Sequence, residues 1–193
     1  MSSRLVVNSV RHTGASADAL TLDSSGGVTI PTKKLICPGT IIQVVSTTKT
    51  STFSTSSSSY TDVTGLSVSI TPTSTSSKIF ITINVMAATD NSTQGYFEIF
   101  RTSDNTSVCI GDDGGGSRQR ASFGPTYFND TNDLKECGMS FLDSPNTTSA
   151  FNYKVRCKNQ GSGNVYVGRS NSDGDAAHTG RYPCTITVME VAA

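Results

Sequence analysis

Between Thr40 and Met86, three apolar runs, Ile41–Val45, Leu66–Ile70 and Ile79–Val85, are separated by segments built mostly of serine and threonine. The last run alternates: Ile79, Ile81, Ile83 and Val85 fall on one face, with Phe80, Thr82, Asn84 and Met86 on the other. A period of two is the strand period, because successive side chains of an extended backbone point to opposite faces. The alternation recurs downstream. Gly95–Arg101 sets Phe97 and Ile99 against Tyr96, Glu98 and Phe100, and Ala150–Cys157 sets Phe151, Tyr153, Val155 and Cys157 against Asn152, Lys154 and Arg156. Cys184–Val191 places Cys184, Ile186 and Val188 together. Further strands are predicted at Thr40–Thr47, Tyr60–Ile70, Thr106–Ile110, Leu134–Leu142 and Asn164–Arg169, with Gly65 as a kink or bulge in the second of these. Ser54–Ser59 reads as a serine loop too polar to pack. No segment carries a helical period. The pattern predicts an all-β chain of about eight to ten short strands broken by turn residues, the sign of a sandwich or barrel. A jelly-roll-like β-sandwich is the architecture expected.

Residues 1–38 have a different texture. Leu5-Val6-Val7 with Val10 forms one short extended run. Leu20-Thr21-Leu22 and Val28-Thr29-Ile30 flank the turn Asp23–Gly27. This predicts a short arm and hairpin, with Leu5, Val7, Val10, Leu20 and Leu22 as its attachment residues. Isolated two-stranded hairpins are marginal in water, so the arm needs a surface to pack on. Lys33–Gly39 is the boundary, giving an arm over 1–38 and a sandwich head over 39–193. The strands at 78–86 and 95–101 carry apolar residues on both faces. Phe80, Met86, Tyr96 and Phe100 are therefore expected at a subunit interface, with a loop folding over them as the alternative.

Composition narrows the function. The 193 residues carry zero formal net charge, and the densest basic cluster is Arg118-Gln119-Arg120. Two arginines are few against a phosphate lattice, so no nucleic acid is expected as a partner. No run of some 18 apolar residues exists, so no membrane insertion is expected. The first residues lack the charged-then-apolar plan of a secretory signal. Cys37, Cys109, Cys137, Cys157 and Cys184 are odd in number and form no CxxC knuckle. They are expected to be reduced, small buried hydrophobes. Without a secretory signal, the glycosylation-type sequences at Asn91, Asn105, Asn129 and Asn146 read as products of Ser/Thr richness.

Candidate chemistry is sparse. His12 lies in the arm and His178 in a polar loop; no GxSxG turn surrounds a serine, and nothing local supports a cysteine–His178 pair. The acidic pairs Asp112/Asp113, Asp130/Asp133 and Asp173/Asp175 sit among Gly, Asn and Ser, where Asp is an ordinary turn former. Asp173-Gly174-Asp175 lacks the further ligands of an EF-hand loop. No catalytic residue, metal or cofactor is assigned, and the chain is not expected to be an enzyme.

Two blocks of sequence resemble virion proteins of bacteriophages, especially fibre and structural proteins of phages of marine bacteria. The first is Leu5–Val10 with Leu20–Thr29, which looks like a module opening many phage fibre proteins. The second comprises Thr64–Pro72, Ser77-Lys78-Ile79, Ser140–Pro145 and Thr187–Val191, which look like a C-terminal module of such proteins. The resemblance implies a homotrimer located in the virion, its arm bound to other tail or capsid proteins and its sandwich facing outward. It supplies no catalytic residues. Long tail fibres have a shaft between arm and head; this chain has none, which brings in a short spike or a capsid-mounted head fibre. The function expected is a trimeric fibre or spike for host attachment, the alternatives being a capsid-decorating head fibre and a glycan-degrading virion enzyme. On the first, loops 112–132 and 170–182 contact a host glycan or protein through Arg118, Arg120, Tyr127, Phe128, Asp173, Asp175 and His178.

Overall fold

The computed structural model describes residues 7–30, 37–90, 93–124 and 132–193. Three short strands form a small sheet of their own: β1 (Ser9–Val10), β2 (Leu20–Leu22) and β3 (Val28–Thr29), in the order β1-β2-β3. The extended run before the hairpin thus becomes its third strand, Ser9 pairing with Thr21 and Val10 with Leu20. The turn is held by Asp23, whose Oδ1 accepts from the Ser25 and Gly27 backbone amides at 2.9 and 2.7 Å. The Ser25 hydroxyl, donating to the same oxygen at 2.7 Å, and then these amides hold its carboxyl below the usual range.

The head is an antiparallel β-sandwich with no helix among the described residues. One sheet contains β4 (Ile41–Lys49), β13 (Cys184–Val191), β7 (Lys78–Thr89) and β10 (Lys135–Asp143), hydrogen-bonded in that order. Near the end of β7, β12 (Val165–Val167) and β5 (Phe53–Thr55) extend the same sheet. The other sheet runs β6 (Thr61–Ile70), β11 (Phe151–Gln160), β8 (Gln94–Arg101), β9 (Thr106–Val108). Among the described residues the head therefore has ten strands. The predicted serine loop is partly wrong: Ser54 and Thr55 pair with Tyr166 and Val165. An edge strand needs only its backbone to enter the ladder, and Phe53 packs against the core. Thr106–Ile110 and Asn164–Arg169 are shorter than expected, each ending where φ turns positive, at Cys109 and Gly168.

Inward positions follow the alternation. Ile79, Ile81, Ile83 and Val85 of β7 meet Phe97 and Ile99 of β8 and Tyr153, Val155 and Cys157 of β11 in one buried cluster. The register between β6 and β11 shifts between Lys154 and Arg156, where β6 carries extra residues and Gly65 has φ +82. This is the predicted bulge, and it requires glycine because other residues resist positive φ.

Strand direction gives the sandwich two unlike ends. At the first, here the base, lie the start of β4 and the end of β13, tied by Gly39 N–H to Ala192 O and Ala192 N–H to Thr40 O at 2.8 and 2.9 Å. Short connections 71–77, 102–105 and 144–150 share that end. At the other end, the crown, gather 50–60, 90 and 93, 109–124, 132–134 and 161–183. The arm is thus rooted opposite the elaborated loops.

Buried polar residues close the base. Glu190 is fully buried and accepts from Thr73 N and Thr73 Oγ1, both at 2.7 Å, and from Gln43 Nε2. Burial pulls its carboxyl up, and these donors outweigh burial to hold it below the usual range. Asp143 accepts from Arg101 Nη1 at 2.7 and 2.6 Å and from Tyr153 Oη at 2.6 Å. Burial first, then the hydrogen bond to Asp143, pushes the Tyr153 phenol up.

Candidate binding crown and assembly face

At the crown, the glycine-rich segment after β9 folds back along the edge of β8. Phe97 N–H donates to Phe123 O at 2.9 Å and Ser122 N–H to Phe97 O at 2.8 Å. The Phe97 and Phe123 rings stack with centroids 5.3 Å apart. Tyr60 Oη donates to Arg120 O at 2.7 Å, and Lys158 Nζ, 4.6 Å over the Tyr60 ring, donates to Gln119 Oε1 at 2.7 Å. Burial, with the Glu98 charge adding, pushes the Tyr60 phenol up. These contacts leave a cavity of about 380 Å³ bounded by Tyr96, Gly111, Asp112, Gly114, Arg118, Gln119, Ala121, Ser122, Phe123 and Gly124.

The predicted contact residues divide. Arg118 lines this cavity, with Nη1 donating to Gly114 O at 2.6 Å. Arg120 instead holds the loop, Nε donating to Gly111 O at 2.8 Å. Asp173 and Asp175 line a separate cavity of about 230 Å³ with Thr179 and Arg181. There Asp173 is paired with Arg181 through contacts of 3.1 and 2.7 Å. His178 is exposed in the same loop. Tyr127, Phe128, Asp130 and, in the arm, Leu5 lie outside the described residues. Sequence reasoning missed Gln119, Phe123 and Tyr60: Tyr60 was read only as the start of a strand, Gln119 only as part of the basic cluster, and Asp112 as a turn residue.

The expected subunit face needs correcting. Phe80 and Met86 lie on the outer face of the β4-β13-β7-β10 sheet, whereas Tyr96 and Phe100 lie on the outer face of the other sheet. They cannot form one surface. On the second sheet the apolar residues are already engaged. The Arg156 guanidinium stands 4.6 Å over the Phe100 ring and pairs with Glu98 at 3.0 Å and Asp62 at 3.4 Å. Tyr96 lies beneath the glycine loop, the alternative the pattern allowed.

On the first sheet, register aligns four apolar residues directly across four strands: Val44 beside Met189, Met189 beside Phe80, Phe80 beside Leu142. Val44 and Leu142 are 55% and 50% exposed. Ile41, also exposed, lies next to this row at the root of the arm, opposite Val191. The next row, Ser46, Thr187, Thr82 and Ser140, is entirely hydroxylic. Of the seven large exposed hydrophobics among the described residues, Val10, Leu22 and Val28 belong to the arm and Ile41, Val44 and Leu142 to this face. In the arm, Val7 and Leu20 are half-buried.

Thiol environments also divide. Cys157 and Cys184 are buried, Cys109 and Cys137 half-buried, and Cys37 exposed, contrary to the expectation of five buried cysteines. Burial pushes the Cys137 and Cys157 thiols up to about 12. Among the described residues, no group of three or more His, Cys, Asp or Glu stands placed to hold a metal ion. No protein-family model matches the chain, and no curated protein sequence matches it.

Proposed function

We propose that the chain is a subunit of a trimeric phage fibre or spike, assembled through its arm and the base of one sheet, with its crown turned outward for host attachment. The observation that carries this reading is the segregation of exposed apolar surface. Among the described residues, six of the seven large exposed hydrophobics sit on the arm or on the face at whose edge the arm is rooted, opposite the elaborated loops. Contiguous apolar surface of this kind marks an interaction site. The apolar row crosses four strands, about 15 Å from Val44 to Leu142, and with Ile41 forms the basal edge of a four-strand face of roughly 600 Å², the order of the roughly 800 Å² per partner in stable interfaces. The arm sheet is too small to stand alone, which fits a segment completed by neighbours. The strand orders β4-β13-β7-β10 and β6-β11-β8-β9 support the finer reading of the sandwich as a jelly roll.

A binding role is favoured over hydrolysis because Asp112 is the single carboxylate among the described residues lining the crown cavity, whereas glycosidases need two. Immunogold imaging of particles with antibody against residues 161–183 tests the assignment. Label at the distal tip of a tail appendage is expected. Label on the capsid shell replaces the tail fibre with a head fibre, and particles without label overturn the virion reading.

A further inference from the structure

We propose that the crown cavity over Tyr96 binds one neutral saccharide unit; this deepens, and rests on, the reading of the crown as the host-facing end. At about 380 Å³ the cavity is near the small end of ligand sites, which run from about 300 to about 1,000 Å³. Its walls combine two kinds of surface. Tyr96 and Phe123 supply aromatic rings, and Phe123 is held by its stack on Phe97. Asp112 and Arg118 supply opposite charges. Neither is ion-paired within the described residues: Asp112 makes no hydrogen bond there, and Arg118 uses only Nη1, on the Gly114 and Gly115 carbonyls.

Two opposite charges, both available in a cavity whose charges cancel, select a ligand that donates and accepts at neighbouring atoms. Vicinal hydroxyls do both without carrying charge. One pair donates to the Asp112 carboxylate while adjacent oxygens accept from the Arg118 guanidinium, and hydrogen bonds to ionised groups are the stronger kind. The C–H face of a pyranose ring is apolar and suits an aromatic wall. An acidic sugar would set its carboxylate against Asp112. In the Asp173 cavity the lining arginine is already taken, Arg181 being paired with Asp173, so no free pair of opposite charges remains there.

Saturation-transfer NMR on the full chain tests this, with the methyl glycosides of glucose, mannose, galactose and N-acetylglucosamine as probes and methyl glucuronide as the acidic control. At least one neutral glycoside is expected to receive saturation and the glucuronide none. Asp112→Asn, an exposed and conservative change, should weaken binding about tenfold, and Tyr96→Ala should abolish it. Absence of binding by every neutral probe, equal binding of the glucuronide, or affinity unchanged in both variants overturns the site. Light scattering on the same samples separates the two readings. A trimer that binds no sugar removes the saccharide site and leaves the assembly, while a monomer with variant-sensitive binding does the reverse.

Discussion

Replacing Glu190 with glutamine tests how the base of the sandwich is closed. Glu190→Gln keeps the shape of the side chain but removes its charge. One oxygen still accepts from Thr73 N and Thr73 Oγ1, now without charge assistance. The new amide nitrogen faces the Gln43 Nε2 donor, so one bond becomes a donor–donor contact inside a fully buried site. Losing a charged bond costs about 2 kcal/mol, and weakening the remaining pair adds about 1 kcal/mol, giving about 3 kcal/mol. For a chain of this size that corresponds to about 6–12 °C in Tm. Urea unfolding and calorimetry at matched protein concentration are the assays, since the proposed assembly would make Tm concentration-dependent. The difference should also depend on pH. The folded pKa of Glu190 lies below its ordinary value of 4.5, so its stabilisation is complete above that value and is lost as pH falls through the lower folded one. The gap between wild type and variant should therefore narrow in acid. A gap under about 0.5 kcal/mol at neutral pH, the range of inert surface substitutions, would refute this account of Glu190, as would a gap that stays constant into acid.

At the other base cluster, Asp143→Ala should cost about 3–5 kcal/mol, because it leaves the poorly exposed Arg101 guanidinium without its buried partner. Asp104→Ala removes an exposed partner of the same arginine and should cost under about 1 kcal/mol, so equal urea midpoints for the two would contradict the assignment. In native protein at mildly alkaline pH, iodoacetamide should modify Cys37 first and spare Cys157 and Cys184 until denaturant is added, as mass spectrometry of peptides would read. Early labelling of Cys157, whose thiol burial pushes up to about 12, would contradict the buried position.

Strand periodicity carried most of the fold. Ile79, Ile81, Ile83 and Val85 form the core face that their alternation predicts, and Gly65 sits in a bulge. Alternation tells which residues of one strand share a face; it does not tell which sheet the strand joins. Phe80 and Phe100 therefore looked like neighbours, although β7 and β8 belong to different sheets. Register is equally hidden. Val44, Met189, Phe80 and Leu142 lie far apart in sequence and become a row only once four strands are paired. The crown cavity was illegible for the same reason: Tyr96 and Asp112 meet because the backbone at Phe123 bridges to Phe97.

The most direct test of assembly through the base is the solution mass of wild type beside the double variant Val44→Asp/Leu142→Asp, read by light scattering with circular dichroism as the check on folding. The account expects three times the 20.3 kDa chain mass for wild type and the mass of a single folded chain for the variant. A monomeric wild type, or a variant that remains a trimer, contradicts it.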